Sequence, residues 1–306
     1  MGMTYNFYAG GGIDRVSHLR TDAAWLAARL DDPSTRLIPV WRSQSLVVNG
    51  ESPGAVRIAL AEARGLLELA RISVMLGLID DAAHVAIDLS HIDRQAIEDL
   101  LGPWGLITDL RRVGPLLERR EGALLAYARG MLHWHQRHRF CGVCGAPTTS
   151  TRAGHVLKCT GSTCGAEHFP RSDPAVIMLV HHGERCLLGR QSIWPKGAYS
   201  TLAGFVEPGE SLEEAVAREV FEETSVRVED VRYHSSQPWP FPGSLMLGFH
   251  ARALDPSTLL ADPEEIEDAQ WFSRSDIAEF PRRGLFLPRM DSIARRLVED
   301  WVAEGV

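Results

Sequence analysis

Three carboxylates offer the first chemistry. Glu219, Glu222 and Glu223 are spaced i, i+3 and i+4, so on a helix they share one face. Carboxylates this close repel one another unless cations bridge them. Hard oxygen donors in this number suit Mg2+ or Mn2+, which keep several waters and also bind substrate phosphates. A solvated acidic helix face is the alternative that the three residues alone leave open. Four thiols form a second set. Cys141-Gly-Val-Cys144 and Cys159-Thr-Gly-Ser-Thr-Cys164 are fourteen residues apart. Two paired steps on Gly-containing turns place four thiolates around one ion, and soft sulfur ligation selects Zn2+. Four thiolates leave no open position, so this metal is structural. Two disulfides or unligated core thiols are the alternatives. Cys186, inside a strand-like run, reads as a small buried hydrophobe. His133, His135 and His138 lie at offsets of two and five, share no helical face, and read as surface or interface residues.

Elements must position these groups. Pro208-Gly209 forms a turn, and Ser211 with Glu214 is a capping box, so a helix begins near Leu212. Leu212, Ala215, Val216 and Val220 form its buried stripe. Further on, Pro238, Pro240 and Pro242 alternate with Gln237, Trp239 and Phe241 between Ser236 and Ser244. Alternating prolines stiffen a segment in extended form. The two rings then either flank a planar ligand or fill a core. Before the cysteines, strand-like runs (36–48, 72–78, 84–89) mix with helical ones (22–30, 55–70, 93–101), and Asn49-Gly50 marks a turn. A helical run at 116–135 leads into the cysteines. Beyond Pro170 come strands at 175–180 and 185–189, the acidic helix, more strands, and a helix at 292–302.

The chain has 306 residues, 45% of them hydrophobic and 24% charged. That excludes disordered and fibrous classes and suits about two domains. A net charge of −8 excludes a globally basic nucleic-acid coat. Charge is segregated, however. Residues 204–230 carry nine acids and two arginines; residues 111–158 carry nine basic residues and two acids. These are two solvated faces, or a cation site and a phosphate-facing surface. No repeat of solenoid length is present. No apolar run nears the ~20 residues of a membrane span. The N-terminus carries no secretory signal, and Asn6 sits where myristoylation requires Ser or Thr. Five cysteines without such a signal suggest a reducing cytoplasm.

The stretch 204–226 resembles the Nudix box, G-x5-E-x7-R-E-U-x-E-E-x-G-U with U aliphatic. Gly204, Glu210, Arg218, Glu219, Val220, Glu222, Glu223 and Val226 fit. Ser225 stands where the pattern has Gly, at a helix end where a left-handed side chain costs ~1–2 kcal/mol. The resemblance implies an α/β/α sandwich around a mixed sheet, and metal-dependent hydrolysis of a nucleoside diphosphate linked to another group. It implies that Glu219, Glu222 and Glu223 hold the metals and that the Ala203 carbonyl approaches one. Arg218 would orient the cluster and Glu210 support the preceding loop.

With the four cysteines before the box and Ser236–Ser244 after it, the chain from about Arg112 onward is similar to the NADH pyrophosphatase subfamily. That implies cleavage of NAD(H) to AMP and nicotinamide mononucleotide, and removal of NAD caps from RNA 5′ ends. Carried over singly, Gln237, Pro238, Trp239, Pro240, Phe241, Pro242, Gly243 and Ser244 line the substrate. Phe169, in place of Tyr, stacks on a base. Arg112 meets the nucleotide, Ala294 is a small residue at the substrate, and Glu265 is a further metal carboxylate with Glu264 its neighbouring rival. The subfamily implies a homodimer sharing its sites, with no membrane partner. The expected parts are an N-terminal α/β, degenerate Nudix-like domain (1–137), a zinc ribbon (138–169) and a Nudix domain (170–306). Another Nudix substrate, such as ADP-ribose or a nucleoside triphosphate, is the nearer rival. A non-enzymatic zinc-ribbon RNA-binding module is the farther one, and the intact Glu219, Glu222 and Glu223 set speaks against it.

Overall fold

Residues 36–48 read as one strand, yet the chain turns back within them. A computed structural model describes residues 5–304; residues 1–4 and 305–306, the outer ends of the first and last expected domains, lie outside the described residues. One unit comprises Tyr8–Ser172 with Trp239–Gly243. After α1 (Ala23–Asp31), β1 (Arg36–Trp41) and β2 (Gln44–Val47) flank Arg42 and Ser43, whose φ values are 47° and 60°. Tight hairpins need such angles and usually signal them with Asn or Gly. Neither residue is present, so the expected single strand is corrected to a hairpin. The helix expected from 55 is corrected too. Ile58 and Ala59 form β3 (Ile58–Ala59) against β1, and α2 (Leu60–Leu69) follows.

β4 (Ile72–Ile79), β5 (Ala82–Asp88), α3 (Arg94–Leu101), β6 (Leu106–Thr108), α4 (Leu110–Val113) and α5 (Arg119–Arg137) complete this part. Its sheet order is β4-β5-β1-β2-β6, with β3 beside β1 and a parallel β1/β5 pair. His135 on α5 is 3% exposed, and its Nε2 lies 2.7 Å from the Gly154 carbonyl oxygen. The surface placement expected of it is therefore corrected: it is a hydrogen-bonded core histidine, and burial pushes its pKa down. The ribbon strands β7 (Thr148–Thr151), β8 (Val156–Cys159) and β9 (Glu167–His168) form a separate three-stranded sheet.

Among the described residues, the other unit comprises residues 5–7, Asp173–Pro238 and residues 244–304. Its centre is β10 (Asp173–His182), followed by β11 (Arg185–Arg190) and β12 (Leu202–Phe205). Side chains alternate across a strand, and β10 uses both faces. Val176, Met178 and Val180 pack with Ala215, Val216 and Val220 of α6 (Leu212–Thr224). Ile177 and Leu179 pack in a second cluster with Ile293, Leu297 and Val298 of a C-terminal helix. The result is the expected α/β/α sandwich. β13 (Val228–Trp239), β14 (Ser244–Ala253), β15 (Asp268–Ser273), α7 (Arg274–Ala278) and α8 (Ile293–Glu304) complete it. Residues 240–243 form the turn between β13 and β14, so the proline-rich segment is extended only as far as Trp239. The sheet order is β13-β14-β10-β11-β15, with β12 beside β10 and a parallel β10/β14 pair.

The two orders match strand for strand. Each sheet has one parallel pair, one hairpin leading out from its centre, and a side strand running into a helix. Counted from the helix start, Leu67 of α2 stands where Glu219 stands in α6, and α2 ends before the places of Glu222 and Glu223. The N-terminal sheet thus repeats the topology without the carboxylates.

The capping box of α6 is formed, with Ser211 Oγ accepting the Glu214 N–H. At its other end Ser225 has φ 58° and ψ 5°, the left-handed region expected there. Ser225→Gly should therefore stabilise the chain by about 1 kcal/mol, read as a raised midpoint in denaturant unfolding.

Candidate active site

Glu219 sits against Gly204. A Cβ built on Gly204 would fall 1.9 Å from the Glu219 carboxyl carbon, so any side chain there would expel the carboxylate. That is a physical reason for the glycine. β12 brings it into place by pairing with β10, and the neighbouring Ala203 pairs with Ile177.

Arg218 organises the rest. Its guanidinium donates to Glu210 Oε1 at 2.6 Å and Oε2 at 3.0 Å, Glu219 Oε1 at 2.9 Å, Glu222 Oε2 at 2.9 Å and the Phe205 carbonyl at 2.9 Å. These bonds, those to Glu210 foremost, push the Arg218 pKa up. The Arg218 guanidinium and the Glu207 N–H hold Glu210 down at about 2.

Glu223 is in the opposite situation. It is 6% exposed, and its Oε2 is buried without a hydrogen-bond partner. Burial, then repulsion from Glu219, Glu265 and Glu222, pushes its pKa up to about 8. Burial also raises Glu219. Oxygens of Glu219, Glu223 and Glu265 lie within 4.8 Å of one another. The turn carrying Glu265 is tied to the end of α6, where Asp262 N–H donates to the Glu223 carbonyl and Leu260 N–H to the Thr224 carbonyl, both at 2.9 Å. Glu264 does not join this group. Glu222 is exposed and turned to Arg218, so the three-residue face expected on α6 becomes two residues of α6 plus Glu265.

Three carboxylates, one of them with an orphaned buried oxygen, are a donor set that a divalent cation completes. They are otherwise a cost to the fold.

The remaining expected substrate residues are distributed differently. Gln237 is 1% exposed. Its Nε2 donates to the Asp291 carbonyl at 2.7 Å and the Phe7 carbonyl at 3.2 Å, and its Oε1 accepts the Ile293 N–H at 2.8 Å. The amide is fully used inside the protein, so Gln237 braces the start of α8. Ala294 is 3% exposed and packs in the α8 cluster. Phe169 and Arg112 are exposed.

In the N-terminal unit, Trp239 and Phe241 meet each other and Tyr8 edge to face, at centroid distances of 5.1–6.1 Å. Arg129 Nε–H donates to the Pro240 carbonyl at 2.6 Å, and Arg111 Nη2 donates to that of Phe241 at 3.4 Å. Sequence reasoning missed Tyr8, Arg111 and Arg129 as the grip on this turn. No local signal marks them, because their partners lie more than a hundred residues away.

The four ribbon thiols converge within 4.8 Å, with Cys141–Cys164 at 3.8 Å and Cys144–Cys159 at 3.4 Å. Tetrahedral Zn2+ sets sulfurs about 3.8 Å apart, so the set fits that ion. Both knuckles close alike despite their different lengths. Cys141 N–H donates to the Ala146 carbonyl and Cys159 N–H to that of Ala166, and Gly145 and Gly165 both have positive φ. The two extra residues of the second step are absorbed before Cys164. His168 Nε2 also lies 3.3 Å from Cys141 Sγ.

Residues 171–297 match the NUDIX domain family, residues 34–134 the NADH pyrophosphatase-like rudimentary NUDIX domain, and residues 136–169 the NADH pyrophosphatase zinc ribbon domain. The chain is 39% identical over 305 residues to the NAD-capped RNA hydrolase NudC of Mycobacterium tuberculosis (strain ATCC 25618 / H37Rv), covering 95% of this chain and 93% of that protein. It is 41% identical over 198 residues to the NAD-capped RNA hydrolase NUDT12 of Homo sapiens, covering 61% of this chain and 43% of that one. Among solved structures, a NUDIX hydrolase from Nitrosomonas europaea aligns with a TM-score of 0.44 at 22% identity, over 54% of this chain and 91% of that chain.

Two outcomes follow for the metal sites. A carboxyl whose pKa is raised on folding binds more protons folded than unfolded. Without divalent metal, stability should therefore fall as pH rises from about 4.5 to about 8, as the linkage sign requires. Thermal melts across that window should show the fall, Mg2+ should offset it increasingly with pH, and Glu223→Gln should flatten it. Separately, chelating zinc should lower the melting temperature of the ribbon-bearing chain; an unchanged melt would remove the structural role.

Proposed function

Because the chain belongs to the Nudix hydrolases, with the rudimentary Nudix-like domain and zinc ribbon of NADH pyrophosphatases, we propose that it hydrolyses the diphosphate of NAD(H). The products are AMP and nicotinamide mononucleotide, and the same reaction removes NAD caps from RNA 5′ ends. The observation that carries the reaction is the group formed by Glu219, Glu223 and Glu265, with its buried, unpaired Glu223 oxygen. We assign these three, with Glu222 and the Ala203 carbonyl, to Mg2+ or Mn2+, and Cys141, Cys144, Cys159 and Cys164 to one structural Zn2+. Bound at the carboxylates, the divalent ion supplies charge neutralisation for the diphosphate oxygens and a more acidic water.

The chain's own residues do the remaining work. Gly204 leaves room for the Glu219 carboxylate. Arg218 orients Glu219 and Glu222 and fixes Glu210 on the loop before α6. A carboxylate of the cluster accepts the proton of the attacking water. Pro238, Trp239, Pro240, Phe241, Pro242, Gly243 and Ser244 form the substrate-contacting segment, with Gln237 bracing it from inside. Phe169 offers an exposed ring to a base and Arg112 a cation to the nucleotide, while Ala294, the small residue expected at the substrate, keeps α8 closely packed on its sheet. We extend the proposal to three parts at 1–137, 138–169 and 170–306, to a homodimer sharing its sites, and to a cytoplasmic setting that keeps the five thiols reduced. Among the described residues no helix is long and apolar enough to cross a membrane.

The test is a product assay with NADH, ADP-ribose and a nucleoside triphosphate in 18O-labelled water with Mg2+ or Mn2+. AMP and reduced nicotinamide mononucleotide should appear, and Glu223→Gln should lower turnover by about 10²-fold or more while the chain stays folded. Cleavage of ADP-ribose alone would keep the chemistry and discard the substrate. Full turnover by Glu223→Gln would discard the site.

A further inference from the structure

Two donors assigned to the divalent ion lie outside α6: the Ala203 carbonyl on β12 and the Glu265 carboxylate on the turn before β15. Glu265 is exposed and faces like charge from Glu219 and Glu223. Residues 259–267, which carry it, form no helix or strand. Like charge drives a carboxylate on such a turn away from its neighbours unless the turn is fixed from elsewhere.

The end of β11 supplies that fixing. Gly189 lies between the two carriers. A Cβ on it would meet Leu202 Cδ2 at 3.1 Å and Ile266 Cδ1 at 3.6 Å, and these residues adjoin Ala203 and Glu265 in the chain. Gly189 exchanges backbone hydrogen bonds with Ser200, both at 2.9 Å, and the Arg190 carbonyl accepts the Glu267 N–H at 2.9 Å. The Arg190 guanidinium then pairs with the Glu267 carboxylate and donates to the Trp194 carbonyl at 3.3 Å. One cation thus grips both the turn that carries Glu265 and the segment 191–198 that leads to β12.

A second arm crosses the same gap. Buried Tyr199 donates its hydroxyl to Asp268 Oδ2, and Gln270 Nε2 donates to that oxygen at 2.6 Å. Asp268 stands opposite Arg190 in the β11/β15 register. The Arg190 side chain is 11% exposed. A guanidinium so far from water is costly unless its partners answer it, and its Nε has none. The charge is therefore answered at the far end of the group, by Glu267 and the Trp194 carbonyl. An apolar side chain would fill the space at less cost, but it could not hold a carboxylate and a loop carbonyl together.

We propose that Arg190, acting through Glu267, is a positioning residue for the divalent ion: it fixes the Glu265 turn against the segment that leads to the Ala203 carbonyl. The proposal rests on the assignment of those two donors to the metal.

The test is Mn2+ binding to the full, zinc-loaded chain without substrate, read as free Mn2+ by electron paramagnetic resonance. Removing a group that orients a metal ligand costs ~10- to 100-fold in affinity. Arg190→Gln and Glu267→Gln should therefore each weaken Mn2+ binding about tenfold. Together they should weaken it no more than the stronger single change, because they break one pair. Glu267 is exposed, so Glu267→Gln tests the pair even where Arg190→Gln fails to fold. With NADH, the half-saturating Mn2+ concentration should rise by the same factor, and turnover at saturating Mn2+ should return to within about twofold of the unmodified chain. Glu265→Gln should weaken Mn2+ binding about tenfold or more. Glu98→Gln, which breaks an exposed ion pair on α3, should leave the affinity unchanged.

A purely structural role would lower the melting temperature of the metal-free variants and leave their Mn2+ affinity alone, and that result overturns the proposal. If Glu265→Gln weakens binding while Arg190→Gln and Glu267→Gln do not, the assignment of Glu265 stands and the proposal alone is lost. If Glu265→Gln binds Mn2+ as the unmodified chain does, the assignment itself is wrong and the proposal falls with it.

Discussion

The Arg218 guanidinium is the interaction on which the candidate site depends. It bonds three carboxylates and the Phe205 carbonyl, and so ties α6 to the strand and loop before it. A helix with this many acids on adjoining faces would otherwise repel itself and that loop. Guanidinium geometry matters here, because five fixed donors reach several acceptors at once, which an ammonium group does not. The close approach also needs Gly204, where the carboxylate occupies the space of a missing side chain. Cation, glycine and capping box therefore act together: one sets where α6 begins, one how near it comes, and one how its acids are aimed.

Two sheets of identical strand order show what that machinery adds to a scaffold. In the N-terminal copy, β3 runs into α2 as β12 runs into α6, but α2 is shorter and lacks acids at the corresponding places. With no cluster to hold, this copy does other work. Through Tyr8, Arg111 and Arg129 it fixes the turn Trp239–Gly243 by ring edges and carbonyl bonds. Arg129 is costly to bury, and burial lowers its pKa. Its bonds to the carbonyls of Pro240 and Ser43 offset that cost, because a charged donor strengthens a hydrogen bond.

Legibility in the sequence follows from how local each determinant is. The bounds of α6 and its left-handed end were readable because caps and periodicity act within one or two turns. The thiol set was readable because each knuckle closes on its own few residues. The β1–β2 turn was not, since Arg42 and Ser43 adopt left-handed angles that only the surrounding sheet imposes. The burial of His135 is not legible for the same reason: its partner, the Gly154 carbonyl, comes from the ribbon. Gln237 stands out in the proline-rich segment, but its partners at Phe7, Asp291 and Ile293 lie far along the chain. Nothing local separates a ligand-facing amide from a brace.

Glu222 and Glu265 carry the argument one step further. Spacing alone treats Glu219, Glu222 and Glu223 as equivalent, and helix geometry does place them together. Arg218 breaks the equivalence, because its Nη1 donates to Glu219 and Glu222 alike and leaves Glu223 without a partner. The acids thereby fall into two kinds. Glu210, bonded to the guanidinium, is held at about 2, whereas buried Glu223, without a partner, rises to about 8. Glu265 joins the second kind from a separate turn. The charge that calls for a divalent ion is thus concentrated at Glu223 and Glu265, with Glu219 shared between them and the guanidinium. A cation attracted to the acidic patch as a whole would still be steered to that end, because at the other the negative charge is already answered.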